Sequence, residues 1–438
     1  MIETIAYIIR EIIKYYQNFA LADIFVKVLI LTPAFWIEFP WYLYMTISCI
    51  LYKIYKKPLK EDSKFSPHVG VIITAFRESE RDILRSLRTV IHQEYDGIIE
   101  VVTIFDTRRK TNLLKKLRIP NKRIIKIIDK NYRGGRASSL NMGLKILSRE
   151  AKIVVALDAD TSLDYDAIKH LVIPFKNPEI IAVSGNLYVR NKKESLVTRL
   201  QHIEYIISIT LSRIALSFLG TVNNISGAYG AFRREFLEKL YGWDSGTAED
   251  LNLTNRLKII SSIYENSKLA FVPESVAHTS VPSTWSALFK QRQRWDGDLV
   301  WIFYKKYRRF LLPTLLKPTE YLLFINHNLL LQFVMPCAMV IYCIYIWLKY
   351  GLTALITINI FIFSVYELWT VIFFLIYLSL YCKDIEEELP FLLVLPLYPI
   401  YNWILRIHAL KAYLDDLLLD LHRYSGYVPK WISKRLHY

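Results

Sequence analysis

Cysteine is scarce in this 438-residue chain: the four present, Cys49, Cys337, Cys343 and Cys382, lie in or beside apolar runs. Their spacing offers neither the paired thiols of a zinc site nor the density of a disulfide framework, so packing is their default role. Acidic charge is also short, with 40 Asp and Glu against 56 Lys and Arg, a formal net charge of +16. Such a surplus suits nucleic acid or an anionic membrane surface. The cations gather beside apolar stretches (Lys53, Lys56, Lys57 and Lys60; Arg406 and Lys411) and form no recognisable nucleic-acid module. Membrane lipids are therefore the expected partner and nucleic acid is not. The first residues lack the basic start, compact apolar core and small-residue cleavage site of a signal peptide. Apolar residues, by contrast, are abundant: 53% of the chain is hydrophobic, too much for an ordinary soluble protein.

Ile5, Ile8, Ile9, Ile12, Ile13 and Tyr16 stand at helical spacing, with Glu3, Arg10, Glu11 and Lys14 elsewhere on the wheel. This predicts an amphipathic helix lying on a membrane. Residues 21–55 are apolar except at Glu38 and Pro40, and exceed the roughly 20 residues needed to cross a bilayer, so one kinked span is expected. A basic collar over 53–64 places the following domain in the cytoplasm by the positive-inside tendency.

Between 66 and about 280 the texture changes. Short β-branched runs at 69–76, 99–105, 124–128, 153–157 and 180–184 alternate with polar stretches. Strands apolar on both faces predict an α/β domain with a mostly parallel sheet covered by helices, whose ligand binds beyond the carboxyl ends of the strands. After 283 the chain becomes amphipathic and aromatic, and three apolar stretches follow near 320–348, 352–381 and 388–405. Three crossings there would leave the basic tail (Arg423, Lys430, Lys434, Arg435) outside, so one segment is re-entrant or interfacial. The expected organisation is an amphipathic helix and first span (1–64), a cytoplasmic catalytic domain (65–283), interfacial helices (284–318), C-terminal spans (319–412) and a basic tail (413–438).

Polar groups close the strand-like runs. Asp158 and Asp160, one residue apart after a buried run, can aim at a hard cation bridging two phosphates, Mg²⁺ or Mn²⁺, although Asp-x-Asp also occurs in turns. Asp106 ends another run and suits a base or ribose, or a turn. Gly134 and Gly135 precede a helical pattern, where backbone N–H groups can face an anion and Arg133 or Arg136 can clamp a diphosphate. Thr247, Glu249 and Asp250 precede Leu251 and Leu253, and locally read as a helix cap. Gln291, Arg294 and Trp295 share a helical face, where the Trp would also serve as a membrane-interface anchor.

The order of these pieces resembles the processive membrane glycosyltransferases of family 2, the hyaluronan, chitin, cellulose and poly-N-acetylglucosamine synthases. The resemblance covers roughly residues 66–300. It runs from the 71–78 strand and loop through Asp106, the Gly134–Leu144 stretch in place of Gly-Lys-Ala-x-x-Leu-Asn, and the Asp158/Asp160 pair. It continues with Gln201-x-x-Glu204-Tyr205, Ser226-Gly227-Ala228, Arg233-Arg234 and Glu249-Asp250, and ends at the QxxRW signature of 291–295. It implies a GT-A-like nucleotide-sugar-binding fold flanked by transmembrane and interfacial helices, in an integral, multi-pass membrane protein. The resemblance also implies an inverting transferase moving sugar from a nucleotide donor, UDP-linked, to a growing β-linked glycan; a single transfer to a lipid-linked acceptor and an inactive fold are the alternatives.

By the same resemblance, Asp250 is the general base with Glu249 beside it, and Asp160 holds magnesium or manganese. Thr74, Glu78, Asp106, Arg136, Asp158 and Arg294 bind the donor, while Ser226, Gly227, Gln291 and Trp295 border the acceptor. Three positions depart from the pattern: Phe105 precedes Asp106 where a second Asp is usual, Arg136 replaces Lys, and Ala248 separates Thr247 from Glu249. Arg keeps the charge of Lys but not its geometry.

Overall fold

A computed structural model describes residues 32–55, 65–109, 112–244, 248–264 and 266–419, with four helical positions nearer the N-terminus. The apolar face of the expected amphipathic helix, Lys56, Lys57, Lys60, Thr247 and the basic tail lie outside the described residues.

Eight strands, β1 (Val69–Ala75), β2 (Ile99–Phe105), β3 (Arg123–Asp129), β4 (Ile153–Asp158), β5 (Ser162–Leu163), β6 (Ile180–Val189), β7 (Tyr229–Arg233) and β8 (Lys268–Thr279), form one sheet in the order β3-β2-β1-β4-β7-β6-β8-β5. Every residue of β1 and β2 is buried. Because side chains alternate along a strand, this demands cover on both faces. Val71, Ile73 and Val101 pack on one face with Ile83 and Leu87 of the helix Glu80–Ile91. Ile72, Val102 and Val154 pack on the other with Leu140 and Leu144 of the helix Gly135–Ile146.

The sheet is mostly parallel, as expected, with two strands reversed. β3, β2, β1 and β4 are mutually parallel, as are β6 and β8. β7 runs antiparallel to β4 and β6, and β5 antiparallel to β8. β7, with sequence Tyr-Gly-Ala-Phe-Arg, has no β-branched residue and sets two aromatics against a Gly and an Ala, a weak local strand signal; hydrogen bonds from β4 and β6 on either side hold it. Since β7 opposes both, β4 and β6 point the same way, and β1, β2, β4 and β6 all end on one edge. Asp106, Asp158, Asp160 and Arg190 gather there.

Among the described residues, three helical stretches are long and apolar enough to cross a membrane: Pro33–Tyr55, Pro318–Leu380 and Ile385–Leu418. The second folds back on itself at Gly351, whose φ of 83° is a left-handed conformation that glycine alone adopts without penalty. Met339, Tyr342 and Ile346 before the bend share a core with Ala354, Ile358 and Ile362 after it. The third apolar stretch behaves differently. Its helix Tyr398–Leu419 runs beside the helix Trp285–Leu299, with Tyr401 6.0 Å from Trp285, His408 stacked on Phe289 at 4.9 Å, and Asp415 accepting from Gln293 at 3.0 Å.

Arg406 does not join a membrane-surface collar. Its guanidinium pairs with Glu38, the carboxylate that interrupts the first span, and Tyr366 donates to the same carboxylate. An unpaired charge among apolar helices is costly, so the two interruptions of the apolar pattern find each other.

Candidate active site

Arg136 lies at the centre of the strand-end edge. It projects from the first turn of Gly135–Ile146, and Nε donates to Asp158 Oδ1 at 2.9 Å while Nη2 donates to the Gly227 carbonyl at 2.5 Å. Nη1 pairs with the buried Glu249. Burial alone would weaken its hold on a proton, but Asp158, Glu249 and Asp250 outweigh that and keep the guanidinium charged. Burial and the neighbouring Asp250 raise the pKa of Glu249 against the pull of Arg136.

Asp250 belongs to the first turn of the helix Glu249–Ile263. Its Oδ2 accepts from the Gly227 N–H at 2.9 Å and the Asn224 amide at 3.3 Å, and its Oδ1 from the Leu251 N–H at 2.7 Å. The helix-cap reading gives way here: the N-cap is Ala248, whose side chain caps nothing. Gly227 is forced by close approach, since a Cβ there would lie 2.9 Å from Arg136 Nη1 and 3.2 Å from Asp250 Oδ2. Ser226 forms the preceding turn, its carbonyl accepting from the Tyr229 N–H at 3.2 Å. Four segments distant in sequence thus meet as Asp158, Arg136, Gly227 and Glu249-Asp250.

The glycine-rich helix start is not a free anion seat. Asp106 occupies it, accepting from the Gly134 N–H at 2.9 Å, the Gly135 N–H at 2.8 Å, Lys130 Nζ at 2.6 Å and Ser139 Oγ at 3.1 Å. Helix starts favour carboxylates as they favour phosphates, and the chain supplies its own. Lys130, which sequence reasoning missed, is the buried counter-charge. Thr74 is buried at the end of β1, in register with Asp158, and Glu78 accepts from the Phe76 N–H at 2.6 Å.

Burial, together with the carboxylates of Asp158 and Glu78, pushes the Asp160 carboxyl up to about 6. Carboxylates crowded in this way are hard oxygen donors whose repulsion a divalent cation relieves, so the residues fit Mg²⁺ or Mn²⁺. Among the described residues no group of three His, Cys, Asp or Glu could hold a metal alone. The protein therefore offers a partial shell, the usual manner of Mg²⁺ held through a carboxylate and substrate phosphates.

Gln291, Arg294 and Trp295 are half-buried on the helix Trp285–Leu299. The residue that ties this helix to the domain is Arg292, which sequence reasoning passed over. Its Nη2 meets Glu204 at 2.9 Å, and its guanidinium covers the Trp295 ring at 4.6 Å from the centroid. Tyr401 donates to the same Glu204 oxygen at 2.6 Å. Gln201, one turn earlier, donates to the Pro282 carbonyl at 2.7 Å. The spacing of 201 to 204 and of 292 to 295 was the available signal, as both place two groups on one helical face.

A family model described as glycosyltransferase like family 2 matches residues 67–297. The chain is 30% identical over 266 residues to poly-beta-1,6-N-acetyl-D-glucosamine synthase of Staphylococcus epidermidis, covering 58% of this chain and 62% of that one. It is 30% identical over 267 residues to the synthase of the same name from Staphylococcus aureus strain COL, covering 60% and 61%. The chain thus spans about three fifths of the length of these relatives. Its fold is similar to that of a mannosyltransferase from Pyrobaculum calidifontis solved with GDP-Man and Mn2+, with TM-score 0.59 and 18% identity over 85% of this chain and 96% of that one.

Proposed function

The chain belongs to the glycosyltransferase-like family 2, and on that premise we propose that it transfers sugar from a UDP-linked donor to a growing β-linked glycan at the cytoplasmic face of a membrane. One observation carries the reading: Arg136 joins Asp158, on the donor side, to Gly227 and Glu249 beside Asp250 in a single polar cluster. The similarity to the poly-N-acetylglucosamine synthases supports a glycan as product and makes UDP-N-acetylglucosamine the first donor to test.

In this mechanism Asp250 takes the proton of the acceptor hydroxyl as that oxygen attacks the anomeric carbon. The Gly227 and Asn224 donors fix the carboxylate for that task. One displacement inverts the anomer, so an α-linked donor yields a β-linked product. Asp158 and Arg136 orient the donor, with Thr74, Glu78 and Asp106 supporting the nucleotide side, Asp106 through the helix start it holds. Magnesium or manganese at Asp160, when bound, supplies the charge that neutralises the departing diphosphate. In the same reading Ser226, Gly227, Gln291 and Trp295 bind the acceptor, and Arg294 binds the donor.

Asp250→Asn tests the assignment. Transfer from radiolabelled UDP-sugars should fall by roughly 10²–10⁴-fold, the usual contribution of a general base, while donor affinity is retained. Near-normal turnover would remove Asp250 from the role. Product length on a sizing gel then separates a growing glycan from single transfer to a lipid-linked acceptor.

A further inference from the structure

A cavity of about 500 Å³, which shares no lining residue with the Arg136–Asp250 cluster, lies between the sheet and the segment that follows the apolar hairpin. Its origin is a break in the β6–β8 ladder. Gly185 pairs with Val272 but Asn186 pairs with Val276, so Pro273, Glu274 and Ser275 bulge from β8. Ser275 is held by Tyr229 Oη at 2.7 Å and the Ala167 carbonyl at 2.8 Å, while Pro273 and Glu274 line the cavity. The opposite wall runs from Tyr377 to Glu388. It is pinned to the domain by Lys383–Asp164 at 3.2 Å, Lys192–Glu388 at 2.6 Å and His202–Glu388 at 2.7 Å. Arg190, also in the lining, donates to the Asp160 carbonyl at 2.6 Å, so one wall residue touches the loop of the proposed metal carboxylate.

The lining chemistry narrows the ligand. Four Lys or Arg face five Asp or Glu, and the strongest of these groups pair with one another, leaving no positive surplus for a phosphate. The lining also carries hydrogen-bonding groups, among them Asn186, Thr210 and the Glu274 carboxylate, beside aromatic rings. Tyr188 and Tyr377 lie with centroids 6.1 Å apart, and the buried His202 leaves Nδ1 with no hydrogen-bond partner among the described residues. The volume falls in the usual range for small-molecule sites. Sugars have this profile: hydroxyls that donate to carboxylates and imidazole, and C–H faces that pack on tyrosine rings.

We propose that this cavity is a saccharide-binding subsite that holds a neutral stretch of glycan apart from the point of transfer. The proposal rests on the glycosyltransferase reading for its choice of ligand. Lodged between the sheet and the hairpin, the subsite would keep a chain attached between transfers and communicate its occupancy to Asp160 through Arg190.

Purified full-length protein, free of donor and metal, is titrated calorimetrically with β-linked tetrasaccharides of N-acetylglucosamine and of glucose, and with inorganic phosphate. One tetrasaccharide should bind, phosphate should not, and Glu274→Gln, nearly isosteric, should weaken binding about tenfold, the effect of losing a charged hydrogen-bond acceptor. Tyr188→Ala should weaken it too, and because that ring packs on Tyr377, its thermal midpoint is checked alongside. Absence of tetrasaccharide binding, binding unaltered by Glu274→Gln, or phosphate binding that depends on Glu274 would each overturn the proposal. The titration requires no turnover: a protein that binds saccharide through Glu274 yet transfers no sugar from any donor would sink the transferase reading alone.

Discussion

At Gly227 the smallest possible side chain already collides with the site, because its Cβ would crowd both the central guanidinium and the Asp250 carboxylate. Arg136 cannot swing clear without breaking its bonds to Asp158 and Glu249. Gly227→Ala is therefore expected to cost roughly 10²-fold in transfer, as displacements near 1 Å do at reacting groups, and to lower the thermal midpoint as the sheltered Arg136 pairs are disturbed. A variant with full turnover would show that the contact is not part of the working geometry. Asp160 gives a pH signature. Its carboxyl titrates near 6 in the fold and at 3.8 when free, so between those values the folded chain binds the proton more tightly. In metal-free protein this favours folding at low pH and is lost as pH rises through about 6. Asp160→Asn should thus be more stable than the parent at pH 7.5, and the gap in thermal midpoint should close as pH falls from 6 toward 4. A gap independent of pH would contradict the crowding of Asp158, Glu78 and Asp160.

The helix bearing Gln291, Arg294 and Trp295 depends on a neighbour it does not touch in sequence. Arg292 and Glu204 are both largely sheltered from solvent, and Tyr401 closes the same carboxylate from the third apolar stretch. Breaking such a pair leaves one charge buried without compensation, at a cost of roughly 3–5 kcal/mol. Arg292→Ala is expected to lower the thermal midpoint strongly, and Glu204→Gln in the same chain to recover part of the loss, with the coupling read from a double-mutant cycle. Additive losses would mean that the two side chains do not support each other.

For the molecule as a whole, the hairpin returns both its ends to the catalytic domain. Tyr377 meets Tyr188 at one end and His327 meets Asn223 at the other, which leaves Gly351 at the far tip. Thr32, at the start of the first apolar helix, donates to Tyr342 near that tip. The helix Tyr398–Leu419 instead follows Trp285–Leu299 along its length. We propose from this packing that the first apolar helix and the two arms of the hairpin cross the membrane, and that the last helix lies along its surface. A reporter fused after Tyr438 should therefore be accessible on the same side as the catalytic domain, consistent with a basic tail facing the cytoplasm. A reporter found on the opposite side would require Tyr398–Leu419 to cross.

Local pattern was enough to give the α/β character of residues 66–280, the positions of five strands, the acids Asp106, Asp158 and Asp160 that follow two of them, and the apolar mass of the remainder. These are local properties, since a strand covered on both faces must be apolar along its whole run and motifs keep their order along the chain. Tertiary structure alone decided the partners. Hydrophobic pattern reports that a residue is buried, not against what. Nothing in the run around Gly134 distinguishes a seat for phosphate from a seat for Asp106. Nor does any local feature show that Arg136 reaches Glu249 across 113 residues, that β7 inserts antiparallel between β4 and β6, or that Glu38 and Arg406 cancel each other. Those outcomes depend on which surfaces the folded chain brings within reach, where an unpaired buried charge or backbone group is too costly to leave alone.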